Sequence, residues 1–283
     1  MSLTPNPLPD YIESDSSSPP PAVQDGLGGV QPLVVPTVKP FPAWSGLNVL
    51  AILAFTVAAI FLCSLGALLV ARAFPGYRHS SFTELATNAR VVIGAQATAY
   101  PLVLVFIFLM VRTRANQPFG KAIQWNWPGV LAPAFVASGL ILAIAVESLA
   151  RYLPIPKSLP VDTYFKDATS AYMMAIFGVT LAPLLEELFF RGLLYPVLRR
   201  AFGLVVSVFL TALAFAAIHG AQLGYAWAPV LSIFVVGIVF TVVRVRTNSV
   251  AVSFLMHCGY NFALFGMLWV ASDHYRHLEK VGG

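Results

Sequence analysis

Residues 201–243 read AFGLVVSVFLTALAFAAIHGAQLGYAWAPVLSIFVVGIVFTVV, a run of 43 positions without one Asp, Glu, Lys or Arg. A helix crosses the hydrocarbon core of a bilayer with roughly 20 apolar residues. The run is therefore long enough for two spans. It divides at Gly220-Ala-Gln-Leu-Gly-Tyr-Ala-Trp-Ala-Pro229, a turn-rich and aromatic stretch suited to a membrane interface.

The same search outward finds further charge-free runs at Gly46–Ala71, Val91–Val111, Ala122–Val146, Ala168–Leu185 and Thr247–Ser272. With the divided run, these predict an all-α fold: a polytopic membrane bundle of seven transmembrane helices. The runs do not alternate apolar and polar residues, as barrel strands would. Composition agrees. The chain of 283 residues is 58% hydrophobic and 10% charged, with a mean hydropathy of +0.78. Soluble domains carry about 25% charged residues, so an ordinary cytosolic enzyme is excluded.

The net charge of +5 comes from scattered Lys and Arg. No run could follow a phosphate backbone, so nucleic acid is not an expected partner. The bilayer is. Cys63 and Cys258 lie in apolar runs and form no metal motif or disulfide framework. Residues 1–45 hold 10 of the 21 prolines and the cluster Ser16-Ser17-Ser18-Pro19-Pro20-Pro21. They predict a disordered Pro/Ser-rich tail ahead of a membrane-embedded domain at 46–283. The tail has no basic segment followed by an apolar one, so a cleavable signal peptide is not expected. With seven spans, Lys and Arg divide eight to eight between the two sides. Three basic pairs at span ends favour a cytoplasmic N-terminus.

Ionisable groups within spans are costly, and each is a functional hypothesis by default. Glu186, Glu187, Arg191, His219, His257 and Asn261 all fall in the later spans. Glu187 and Arg191 are four apart and share a helix face. Glu186 is turned about 100° from Glu187, which suits a division in which Arg191 holds Glu187 and Glu186 faces a cavity. The bland alternative puts all three at a span end among headgroups. Phe215 and His219 share a face, as do His257 and Asn261. Alone, His219 reads equally as an interfacial residue, and the His257/Asn261 pair as interhelical glue. Together the set suits hydrolysis. A Glu can deprotonate water, an Asn can donate to an oxyanion, and two His with a Glu could instead hold a catalytic zinc. No His-Glu-x-x-His is present.

The order Glu-Glu-xxx-Arg, Phe-xxx-His and His-xxx-Asn on successive late spans resembles the CPBP family of CAAX proteases and bacteriocin-processing enzymes, also called the Abi family. The resemblance covers about residues 168–272. It implies an intramembrane endopeptidase of about eight spans. It implies that Glu186 and His219 activate water, that His257 and Asn261 stabilise the oxyanion, and that Glu187, Arg191 and Phe215 support them. The family is named for metallopeptidases, and a metal-free glutamate mechanism has also been argued for it. Zinc or another divalent metal on Glu186, His219 and His257 therefore stays an alternative. The implied substrate is a membrane-associated or lipidated, CAAX-like peptide or protein, and the expected location a bacterial inner membrane. A non-catalytic immunity or adaptor protein on the same fold is the competing expectation. A proton-coupled transporter ranks below both, because no internal repeat is visible.

Overall fold

The computed structural model describes residues 41–280. Most of the expected tail, residues 1–40, lies outside them. Its last residues are held firmly: Trp44 is buried, and its Nε1–H donates to the carbonyl of Leu193 across 3.0 Å.

The chain forms α1 (Gly46–Ala71), α2 (Phe82–Ala86), α3 (Ala89–Arg114), α4 (Phe119–Ala122), α5 (Ala132–Ala150), α6 (Ala168–Val179) and α7 (Leu181–Glu187). A π-helical stretch, Leu188–Leu194, then leads into α8 (Tyr195–His219), α9 (Trp227–Thr247) and α10 (Val250–Ala271). No strand occurs among the described residues. Six helical stretches are long and apolar enough to cross a membrane, and one of them, Ala168–His219, runs for 52 residues. Apolar side chains point outward along these helices; Leu47, Phe61, Ile141, Ile176 and Val270 are each more than 60% exposed. That is the pattern of a protein solvated by lipid.

The count of six, against seven expected, comes from the long stretch. Straight, it would place Phe190 and Phe215 about 37 Å apart. Their ring centroids are 5.3 Å apart. The chain therefore folds back between them, and the one non-helical residue within α8 is Gly203, at φ 74° and ψ −175°. Glycine takes positive φ without a Cβ clash. The stretch is two antiparallel arms joined at Gly203. The turn expected at 220–229 falls between His219 and Trp227. The run expected at Ala122–Val146 is displaced. Gln124 and Gly129 take positive φ, and α5 starts only at Ala132.

Cross-contacts define two ends of the bundle. At one, Arg200 Nη1 donates to Pro42 O, Asn126 Nδ2 to Asn248 O, and Val250 N to Gln124 O. At the other, Val161 N donates to Gln222 O, and Arg90 pairs with Asp167 at 2.9 Å.

Two apolar cores flank the middle. One joins α1 and α3 to Leu185, Leu188 and Leu193, with Phe55 stacked on Phe106 at 4.3 Å. The other gathers Ala143, Val236, Phe240, Met256 and Tyr260. Helices α5 and α10 meet at glycine. A Cβ on Gly139 would lie 2.7 Å from the amide nitrogen of Tyr260, and one on Gly259 would lie 2.9 Å from the carbonyl carbon of Val136. Backbones this close need small residues.

Candidate active site

Between the two cores lies a cavity of about 290 Å³. Glu186, His219, His257 and Asn261 all line it. Irregular backbone positions the first. Pro183 has no N–H and crowds the carbonyl four residues earlier, and α6 ends just there, with Thr180 at φ −117° and ψ −71°. The π-helical stretch follows immediately after Glu187. Such wide turns recur at functional sites.

The two adjacent carboxylates have different surroundings. Glu187 is fully buried. Its Oε1 accepts from Arg191 Nη1 at 2.8 Å and from His257 Nδ1 at 2.9 Å. Its Oε2 accepts from Ser253 Oγ at 2.7 Å. Glu186 has no hydrogen bond among the described residues. Its side chain is 18% exposed, and its nearest ionic neighbour is His257 Nε2, at 3.7 Å from Oε2.

Arg191 is also fully buried. Its Nη2 donates to Gly237 O at 3.0 Å, and its guanidinium lies 4.6 Å from the ring centroid of Phe215 and 5.5 Å from that of Phe240. A desolvated cation is stabilised by its carboxylate and by aromatic faces. Phe215 therefore packs on Arg191, and it also touches the ring of His219, centroid to centroid 4.8 Å.

The histidine tautomers follow from their partners. Phe215 O accepts only, so His219 donates through Nδ1 at 2.9 Å and keeps Nε2 free. The carboxylate of Glu187 likewise takes Nδ1–H of His257, leaving Nε2 toward Glu186. Asn261 Nδ2 donates to Gly178 O across 2.7 Å, at the end of α6.

A free Nε2 backed by a bonded Nδ1 is how a histidine ligand is usually held. The distances do not complete such a site. Among the described residues no three His, Cys, Asp or Glu side chains come together closely enough to hold a metal ion.

Sequence reasoning missed several contributors. Ser253 lies one turn before His257, so a Ser-xxx-His-xxx-Asn pattern along α10 was there to be read. Gln96 and Tyr100 on α3 also line the cavity, and they too are spaced by four. Tyr164 reaches it from a short 3-10 helix, Pro160–Tyr164, and Gln222 from the turn after α8, and no local spacing announces them.

Fold and cavity define a multi-pass integral membrane protein with a polar site enclosed by its helices. The family model described as type II CAAX prenyl endopeptidase, Rce1-like, matches residues 168–263. That segment is similar to the Rce1-like family, consistent with the CPBP/CAAX protease resemblance, and at family level the similarity points to a protease acting on peptide bonds. No curated protein and no solved structure matches the chain.

Proposed function

We propose that the protein is an intramembrane endopeptidase that hydrolyses a peptide bond of a membrane-associated or lipidated, CAAX-like substrate. One observation carries the reading. Glu186 opens into a cavity shared with His219, His257 and Asn261, while its neighbour Glu187 is consumed by three hydrogen bonds.

In this mechanism a water sits between Glu186 and Nε2 of His219, with both its hydrogens facing acceptors. Its oxygen then attacks the scissile carbonyl carbon as Glu186 takes a proton. The new oxyanion accepts from Asn261, and His257, its Nδ1–H held by Glu187, stands in the same cavity wall. Glu186 passes its proton to the amide nitrogen, the C–N bond breaks, and an acid and an amine leave. Arg191, Phe215 and Ser253 hold Glu187, which holds His257.

The reading also supposes seven crossings, the two arms around Gly203 counting separately, and a plasma membrane of bacterial type.

The test is cleavage of a fluorogenic lipopeptide by purified protein. Glu186→Gln and Glu186→Ala are expected to lose about 10²–10⁴-fold in kcat, the usual worth of a general base, while retaining the wild-type melting temperature. Normal turnover in either variant overturns the reading.

A further inference from the structure

Unpaired polar groups inside a membrane protein are costly, so those facing a cavity mark where polar ligand atoms belong. Helix α3 lies outside the family-matched segment. It nevertheless places Gln96 and Tyr100 in the cavity wall together with Glu186. Neither the Gln96 carboxamide nor the Tyr100 hydroxyl has a hydrogen-bond partner among the described residues. The Tyr100 ring is held in position. Tyr100 packs on Phe177 with ring centroids 5.1 Å apart. The next residue is Gly178, whose carbonyl anchors Asn261.

The chemistry of the wall narrows the ligand. No Lys or Arg lines the cavity, and neutral polar side chains make up much of its polar wall. A carboxamide offers one donor–acceptor pair and a phenol a further donor, a neutral set that matches main-chain amides. Residues four apart on a helix sit about 5–6 Å from each other. Main-chain groups facing the same way along an extended peptide repeat every ~7 Å. One strand can therefore meet both side chains.

We infer that Gln96 and Tyr100 bind the substrate's extended main chain: Gln96 pairs with a peptide amide beside the scissile bond, and Tyr100 donates to the next same-facing carbonyl. The pair lays the strand along α3 and turns the scissile carbonyl toward Glu186. This rests on the endopeptidase reading for its meaning, but binding can be measured without turnover.

The experiment has two arms. In the first, a fluorescent lipopeptide is titrated into detergent-solubilised Glu186→Gln protein, with and without Gln96→Leu or Tyr100→Phe. Each second substitution is expected to weaken Kd about tenfold, the scale of one lost hydrogen bond. In the second, cleavage by wild type and by Gln96→Leu is compared on peptides N-methylated at single amides near the scissile bond. One N-methyl is expected to cost wild type about tenfold in kcat/KM and to cost Gln96→Leu nothing further. A merely structural residue would not show this non-additivity.

Unchanged Kd and equal N-methyl penalties in both proteins overturn the inference and leave the protease reading standing. Gln96-dependent binding without cleavage by wild type sustains the inference and overturns the protease reading. Absence of binding in the first arm overturns the inference outright.

Discussion

His257 donates its Nδ1–H to Oε1 of Glu187 across 2.9 Å, and that bond settles which ring nitrogen faces the cavity. Removing the Glu187 charge leaves buried Arg191 without a counter-ion and frees His257 to turn. Stranding one member of a buried pair costs about 3–5 kcal/mol. Glu187→Gln is expected to lower the melting temperature in detergent sharply and to abolish cleavage. Glu186→Gln is expected to abolish cleavage alone. Equal melting temperatures in the two variants would refute this division.

Arg191→Lys keeps the charge but loses the geometry. One guanidinium reaches Glu187 and Gly237 O at once, through Nη1 and Nη2, and lies over Phe215. An ammonium cannot reproduce that fork or that stacking. The variant is expected to lose about 1.5–3 kcal/mol, the worth of a hydrogen bond to a charged group. Thermal unfolding in detergent checks this. A wild-type melting curve would mean that Gly237 is a bystander.

The helical class, the membrane setting and the turn before Trp227 were all legible, because each depends on the run length of apolar residues or on local turn chemistry. The reversal between the fourth and fifth spans was also expected, from the separate runs at Ala168–Leu185 and from residue 201 onward; that the pivot is Gly203 shows only in its backbone angles and in the contact between Phe190 and Phe215. Within the site, spacing of four shows that Glu187 can meet Arg191 and that His257 shares a face with Asn261. It cannot show that Ser253 bonds Glu187, that Asn261 bonds Gly178, or that Trp44 bonds Leu193. These pairs are far apart in sequence and meet only through packing. Gln96 and Tyr100 went unread because neither is charged, and a charge count passes over them.

Gly259 lies between His257 and Asn261, so its packing sets where both side chains reach. A Cβ there would press on the backbone of Val136, 2.9 Å from its carbonyl carbon and 3.1 Å from its Cα. Backbone cannot move aside as a side chain can. Gly259→Ala is expected to cost at least about 1–3 kcal/mol, as overpacking does, and to reduce cleavage by shifting α10. Gly266→Ala, on the same helix with nothing within 4 Å of its Cβ position, is the control expected to keep stability. Equal behaviour of the two would remove the close approach from the account.

Glu186, His219 and His257 do not converge into a metal-binding group, and the proposed steps need only their protons and lone pairs. Cleavage is therefore expected to survive prolonged treatment with a zinc chelator, and elemental analysis of active protein to give well under one metal per chain. Stoichiometric metal, with activity lost on chelation and restored by zinc, would replace the glutamate mechanism with a metal-activated water on the same residues.

The two ends of the bundle differ in charge more than a count of Lys and Arg reveals. Around Pro42, Asn126, Arg200 and Asn248, the described residues carry Arg112, Arg114, Lys121, Arg199, Arg200, Arg244 and Arg246, with no Asp or Glu. The opposite end carries eight Lys or Arg with Glu84, Glu147, Asp162, Asp167, Asp273 and Glu279 among them. The negative cytoplasmic leaflet attracts Lys and Arg near its surface by about 1 kcal/mol each. The end whose described residues hold no acid is therefore expected to face the cytoplasm and the N-terminus with it. Seven crossings then put the C-terminus on the far side. Fusing to each terminus a reporter that is active on only one side of the membrane reads both points. Termini on the same side would refute seven crossings, and an external N-terminus would reverse the orientation.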